Sequence, residues 1–157
     1  MAKNTNISGI GSWLAVLIFG MMVLSPLIGI GSLSNELRTA IEKLPQLEQN
    51  SQWQTYKQTA WIIFTSSAAL SFTAGYRLWK LHIPDSVKFA IYALWIISIG
   101  RPFLDGVATI VIFGSNNFSE VFPEMIAAMI PAVITAGIWT AYLKRSVRVK
   151  NTYVMYQ

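Results

Sequence analysis

Four stretches of this chain carry little but apolar residues, and each is long enough to cross a lipid bilayer as a helix. They cover residues 13–33, 58–79, 87–113 and 122–142. The hydrocarbon core is about 30 Å thick and a helix rises about 1.5 Å per residue, so about 20 residues suffice. A helix on a soluble domain would show charge at every third or fourth position. These runs show almost none, except in the third.

Composition agrees. Of 157 residues, 54% are hydrophobic and only 12% charged, about half the ~25% charge of an ordinary soluble domain. Mean hydropathy is +0.47. Such a chain cannot be disordered, and its few charges would cover a soluble enzyme poorly. The expected fold is all-α: one polytopic membrane domain, residues 1–157, with four transmembrane helices. The first run is too long for a signal-peptide core, typically 7–15 residues, and is expected to stay as a helix.

Basic residues set the orientation. Eight of the twelve (Lys3; Arg77, Lys80 and Lys88; Lys144, Arg145, Arg148 and Lys150) fall on one side of this layout. Arg38, Lys43 and Lys57 fall on the other, and Arg101 is inside the third run. The excess predicts both termini in the cytoplasm. The tail at 144–157 then meets anionic lipid through Lys144, Arg145, Arg148 and Lys150, each worth up to about 1 kcal/mol. The same rule accounts for the basic balance without nucleic acid.

The first outer loop, 34–56, shows Leu33, Leu37, Ala40, Ile41 and Leu44 at helical spacing, with charges between them. Ser34 or Asn35 supplies a cap and Pro45 a stop. The expectation is a short amphipathic helix lying on the outer surface or over the bundle; the alternative is a simple extension of the first helix. Trp13, Trp53, Tyr56, Trp61, Tyr76, Trp79, Trp139 and Tyr142 cluster near the ends of the runs, where amphipathic rings anchor at the headgroups.

Helices in lipid associate through small residues that let backbones approach. Ser67, Ser71 and Gly75 form one such seam, Ala128, Ala132, Ala136 and Thr140 another, and Ser25 and Gly29 a third. Pro26, Pro102 and Pro131 interrupt three runs and free the carbonyls of Met22, Ser98 and Ala127.

The third run holds the one place with chemistry in it. Arg101 and Asp105 are one helical turn apart near mid-membrane, with Ser98 and Thr109 on the same stripe. A charge at that depth costs about 2.5–3.5 kcal/mol, so this face turns into the bundle or into water. Either a continuous helix kinks at Pro102 and Arg101 pairs with Asp105, or the helix breaks at Gly100 and Pro102 opens a second half-helix. Glu124, near the outer end of the fourth run, is a further candidate partner for Arg101.

Little else is available for catalysis. The chain has no cysteine and a single histidine, His82, in a basic loop. Thiolate chemistry and a histidine metal cluster are therefore excluded. The Gly29-Ile30-Gly31-Ser32 stretch has no following lysine and is not a phosphate loop. No metal, no cofactor and no enzymatic activity are expected.

The two ends carry a resemblance. Gly9-Ile10-Gly11-Ser12-Trp13-Leu14 resembles the Gly-rich Trp-Leu opening of the domain-of-unknown-function 2569 family. Trp139, Tyr142, Leu143, Ser146, Arg148, Val149, Lys150, Asn151, Thr152 and Tyr153 resemble that family's ending. Ser12 departs from the pattern, since members often have a second glycine there. The resemblance implies a small bacterial inner-membrane protein with four spanning helices, and carries no agreed activity or catalytic residue. The expected function is that of a non-enzymatic membrane component whose partners are lipids, a membrane protein or further copies of itself. The alternative is a small oligomeric transporter or channel using Ser98, Arg101, Asp105 and Thr109.

Overall fold

The computed structural model describes residues 8–114 and 118–153. Lys3 and residues 154–157 of the predicted cytoplasmic set lie outside them. The described residues are helical, with no strand among them. We label the helices α1 (Ser12–Lys43), α2 (Ser51–Lys80), α3 (Pro84–Phe113), α4 (Phe118–Arg145) and α5 (Val147–Thr152).

The four apolar runs fall on the four long helices. Three of these (α1, α3 and α4) are long and apolar enough to cross a membrane. The fourth, α2, is less apolar because it carries many hydroxyls. Those of Thr59, Thr65, Ser67 and Thr73 each donate to the backbone carbonyl four residues earlier, at 2.7–2.9 Å.

The separate amphipathic helix expected after residue 33 does not form. The chain stays in one helix to Lys43, and a short 3-10 turn over Pro45–Gln49 follows. Leu33 and Leu37 are buried against Trp53, Ala60 and Phe64 of α2. Their spacing therefore continues the inward face of α1 rather than starting a new element. Arg38 and Glu42 pair at 3.5 Å on the exposed side.

Of the two sequence expectations for the proline in α3, the continuous helix with Arg101 paired to Asp105 is the one found, with a wide turn in place of a simple kink. The helix is continuous, so it does not break at Gly100, but a five-residue π-helical turn over Ile96–Gly100 precedes Arg101 and Pro102. The same device stands in α1, where a π turn over Gly20–Leu24 precedes Ser25 and Pro26. In both, proline is the second residue after the wide turn. Widening the turn shifts the preceding carbonyls away from the pyrrolidine ring, which would otherwise clash one turn back. It also leaves carbonyls for other donors. Ser71 of α2 donates its hydroxyl to the Met21 carbonyl at 2.8 Å.

Successive long helices pack against one another. The α1–α2 contact is tightest at Gly75, where a Cβ would stand 2.5 Å from Met22 Cγ and 3.2 Å from the Ile18 carbonyl. The seam of Ser71 and Gly75 thus joins helices of the same chain. Two cores result. At the end where Gly9 meets Thr152, Leu14, Leu17, Ile18 and Met21 meet Leu78, Val87, Ala90, Ala93, Leu143, Val149 and Tyr153. At the opposite end, Leu33, Leu37, Trp53, Ala60 and Phe64 cluster with Phe113, and α4 contributes nothing to this core.

Two aromatics expected at the headgroups are internal instead. Trp53 is 5% exposed and stacks on Tyr56 with ring centroids 5.6 Å apart. Their helix begins at Ser51, earlier than the apolar run, so both rings already face α1 and α3. Trp13, Tyr76 and Trp79 are exposed.

Candidate functional site

The gap that α4 leaves at the far end of the bundle is a cavity of about 630 Å³. Its floor is the polar stripe of α3. Ser98, Arg101, Asp105 and Thr109 all line it, one below another at helical spacing. Glu124 lines it from α4, together with Met125, Ala128 and Ala132. All five residues singled out in the sequence for this stripe therefore meet around one space.

Two further polar residues join them. Glu36 enters from α1 and Tyr56 from α2. The sequence reading missed both because it ended the first helix at residue 33 and began the second at 58. Reading residues 34–43 as an extension of α1 would have placed Glu36 beside the inward residues Leu33 and Leu37.

Arg101 holds a defined position. Its Nε lies 3.8 Å from Asp105 Oδ2, an ion pair too long to be a hydrogen bond. Its guanidinium carbon sits 5.4 Å from the centroid of the Phe64 ring, a cation–π contact that fixes α3 against α2. The side chains of Arg101 and Asp105 are 30% and 37% exposed, so both open onto the cavity rather than closing on each other. Thr109 donates its hydroxyl to the Asp105 backbone carbonyl at 2.9 Å, which satisfies it within its own helix.

The cavity thus presents three carboxylates (Glu36, Asp105 and Glu124) against one guanidinium. They are spread over three helices. Among the described residues no group of three or more His, Asp or Glu side chains is close enough to hold a metal ion. Ala128 and Ala132, read as a packing seam, instead border the cavity; their small side chains leave it open. Lower on the same face Ala136 is buried, and Thr140 accepts a hydrogen bond from Trp95 Nε1 at 3.1 Å.

The basic residues of the tail lie at the opposite end of the molecule, where the two chain ends meet. The Gly9 amide donates to Thr152 Oγ1 at 2.9 Å, and that hydroxyl also lies 2.7 Å from the Arg148 carbonyl. Tyr153 is fully buried and donates its hydroxyl to the Leu78 carbonyl of α2. The Arg148 guanidinium fills the space where a Cβ on Gly11 would stand. Ser146 caps α5 by accepting from the Val149 amide. Lys144, Arg145 and Lys150 are exposed around this joint. His82 packs its ring 5.8 Å from that of Tyr153.

These features define a class: a membrane protein of apolar helices with a polar cavity at one end and its chain ends tied together at the other. Within that class the chain belongs to the family described as "Protein of unknown function (DUF2569)", whose pattern matches residues 7–154. Several residues that carry the resemblance at the two ends meet in the structure: Gly9 with Thr152, Gly11 with Arg148, and Leu14 in one core with Leu143, Val149 and Tyr153. No curated protein and no solved structure matches the chain.

Proposed function

We propose that this chain is a non-enzymatic component of the bacterial inner membrane, with four crossings and both termini in the cytoplasm, that binds a small organic cation in its outer-facing cavity. The observation that carries the reading is the cavity's charge: three carboxylates from three helices, balanced by a single arginine that opens onto the same space. Its volume of about 630 Å³ falls within the range of small-molecule sites. Scattered carboxylates suit an extended ammonium compound better than a bare metal ion, which needs converging ligands.

Four crossings are supported by α2. No charge occurs between Lys57 and Arg77, a rise of about 30 Å, and its hydroxyls bond within the helix, as lipid requires. The meeting of Gly9 with Thr152 supports an even number of crossings. The basic joint then faces the cytoplasm and contacts lipid through Lys144, Arg145, Arg148 and Lys150. Partner proteins and self-association belong to the same reading, with the long unpacked face of α4 (Ile130, Ile134, Ile138) as the available surface.

A second reading, passage of the solute across the membrane, is favoured by one feature. Ile97 and Ser98, on the cavity floor, belong to the π turn of α3, and such turns adjust more readily than regular helix.

Isothermal titration of the purified chain with ammonium compounds, from methylammonium to spermidine, tests binding, with acetate and succinate as contrast. A cation is expected to bind, and Asp105→Asn to weaken it about tenfold, the order of one charged contact. Anion binding alone, or equal cation binding by Asp105→Asn and by the exchanged pair Arg101→Asp with Asp105→Arg, refutes the reading. Cation-driven flux in proteoliposomes separates passage from binding.

A further inference from the structure

A second recess lies at the other end of the bundle and uses none of the cavity residues. It is an apolar groove of about 320 Å³ between α1 and α2. Ala15, Phe19 and Val23 run along it at four-residue spacing, Ile10 stands at its mouth, and Trp79 of α2 forms its wall. The groove exists because Gly75 brings α2 against Ile18 and Met22, while the large Trp79 ring one turn later cannot follow and stands off. Tyr76 holds that ring edge-on, with centroids 6.4 Å apart.

Two cations stand beside residues at this end of the groove. Gly11 is one turn above Ala15, as the hydrogen bond from the Ala15 amide to the Gly11 carbonyl shows (2.8 Å). The Arg148 guanidinium rests on Gly11, half-buried, and no carboxylate among the described residues pairs with it. Lys80 Nζ stands 4.3 Å from the centroid of the Trp79 ring. From Gly11 to Val23 the ridge is about 18 Å long at 1.5 Å per residue, slightly more than one leaflet of a core about 30 Å thick. A slot one leaflet deep, apolar inside and positively charged at its rim, has the shape and charge of an anionic phospholipid.

We propose that this groove is a specific site for one anionic phospholipid of the cytoplasmic leaflet, an acyl chain lying along Ala15, Phe19 and Val23 and the phosphate meeting Arg148 and Lys80. The site is distinct from the diffuse attraction of the exposed tail, because Arg148 and Lys80 are held by Gly11 and Trp79 while Lys144 and Lys150 are free. It is independent of what the cavity binds.

Native mass spectrometry of the full chain, released from detergent with phosphatidylglycerol or phosphatidylcholine of identical acyl chains, tests it. One phosphatidylglycerol is expected to remain bound and phosphatidylcholine to be lost. Lys80→Gln, which touches no core residue, is expected to weaken retention about fivefold, and Arg148→Gln similarly, each removing about 1 kcal/mol of attraction. Ala15→Trp, which fills the groove and leaves both cations, is expected to abolish it. Lys144→Gln is expected to leave it unchanged. Equal retention of both lipids overturns the proposal. So does an equal loss in Lys144→Gln, which means diffuse attraction. Undiminished retention in Ala15→Trp overturns it too, since the headgroup alone then suffices.

Discussion

Removing one oxygen from Tyr153 tests how the two chain ends are joined. The last carbonyls of any helix lack an intrahelical donor. In α2 the Leu81 amide reaches Arg77, and the next carbonyl, that of Leu78, takes its hydrogen bond from the Tyr153 hydroxyl. Leu78 and Tyr153 are both fully buried. Tyr153→Phe keeps the ring and its packing but leaves that carbonyl without its donor, at a cost of about 1–3 kcal/mol. For a chain of this length each kcal/mol lowers the midpoint by about 2–4 °C. Burial also holds the Tyr153 phenol above its ordinary pKa. Its folded-state pKa is raised, so its contribution is complete below the unfolded value near 10 and is lost as pH rises beyond that. Thermal unfolding of purified protein, followed by helical circular dichroism from pH 7 to pH 11, reads both effects. The wild type is expected to weaken above about pH 10, and Tyr153→Phe to start lower and decline less steeply. A variant with the wild-type midpoint at pH 7 and an unchanged alkaline decline refutes the assigned role of the hydroxyl.

Gly75→Leu drives a side chain into Met22 and the Ile18 carbonyl and is expected to cut the yield of monodisperse protein sharply. Gly137→Leu, with nothing within 4 Å of the added carbon, is expected to be tolerated; size-exclusion profiles of the two compare them directly. For topology, reporter fusions at either terminus are expected to be active only in the cytoplasm and fusions within 44–50 only outside, and the reverse pattern contradicts the orientation drawn from the basic residues.

The helices were legible because lipid leaves few choices: runs of 21 or more residues with almost no charge have one economical structure. The polar stripe was legible for a related reason, since Ser98, Arg101, Asp105 and Thr109 share a face whatever the neighbours do. What a single helix cannot reveal is its partner. Glu36 and Tyr56 reach the cavity through helix ends that extend beyond the apolar runs, and polar residues there look like loop. Trp53 was misplaced for the same reason. The π turns were also hidden: proline marks where a helix must adjust, but a kink, a break and a wide turn all satisfy the same missing donor. The matching ends of the chain were visible as sequence and mute as structure. Nothing in Gly9 or Thr152 announces the other until the helices between them bring the two together.

The joint at one end and the cavity at the other follow from one arrangement. Near its close, helix α4 is held where Ala136 and Leu143 are buried and Trp95 bonds Thr140. Beyond Leu143 the chain turns at Ser146 into α5, whose Val149 enters the same core. At its other end α4 packs along α3, with a close approach at Gly106, where an added carbon would stand 2.9 Å from Met125 Sδ, and makes no extensive contact with α1 among the described residues. Fixed at its foot and standing away from α1 at its head, α4 leaves a space that opens over Arg101 and Asp105. The small residues Ala128 and Ala132 border it and leave it open.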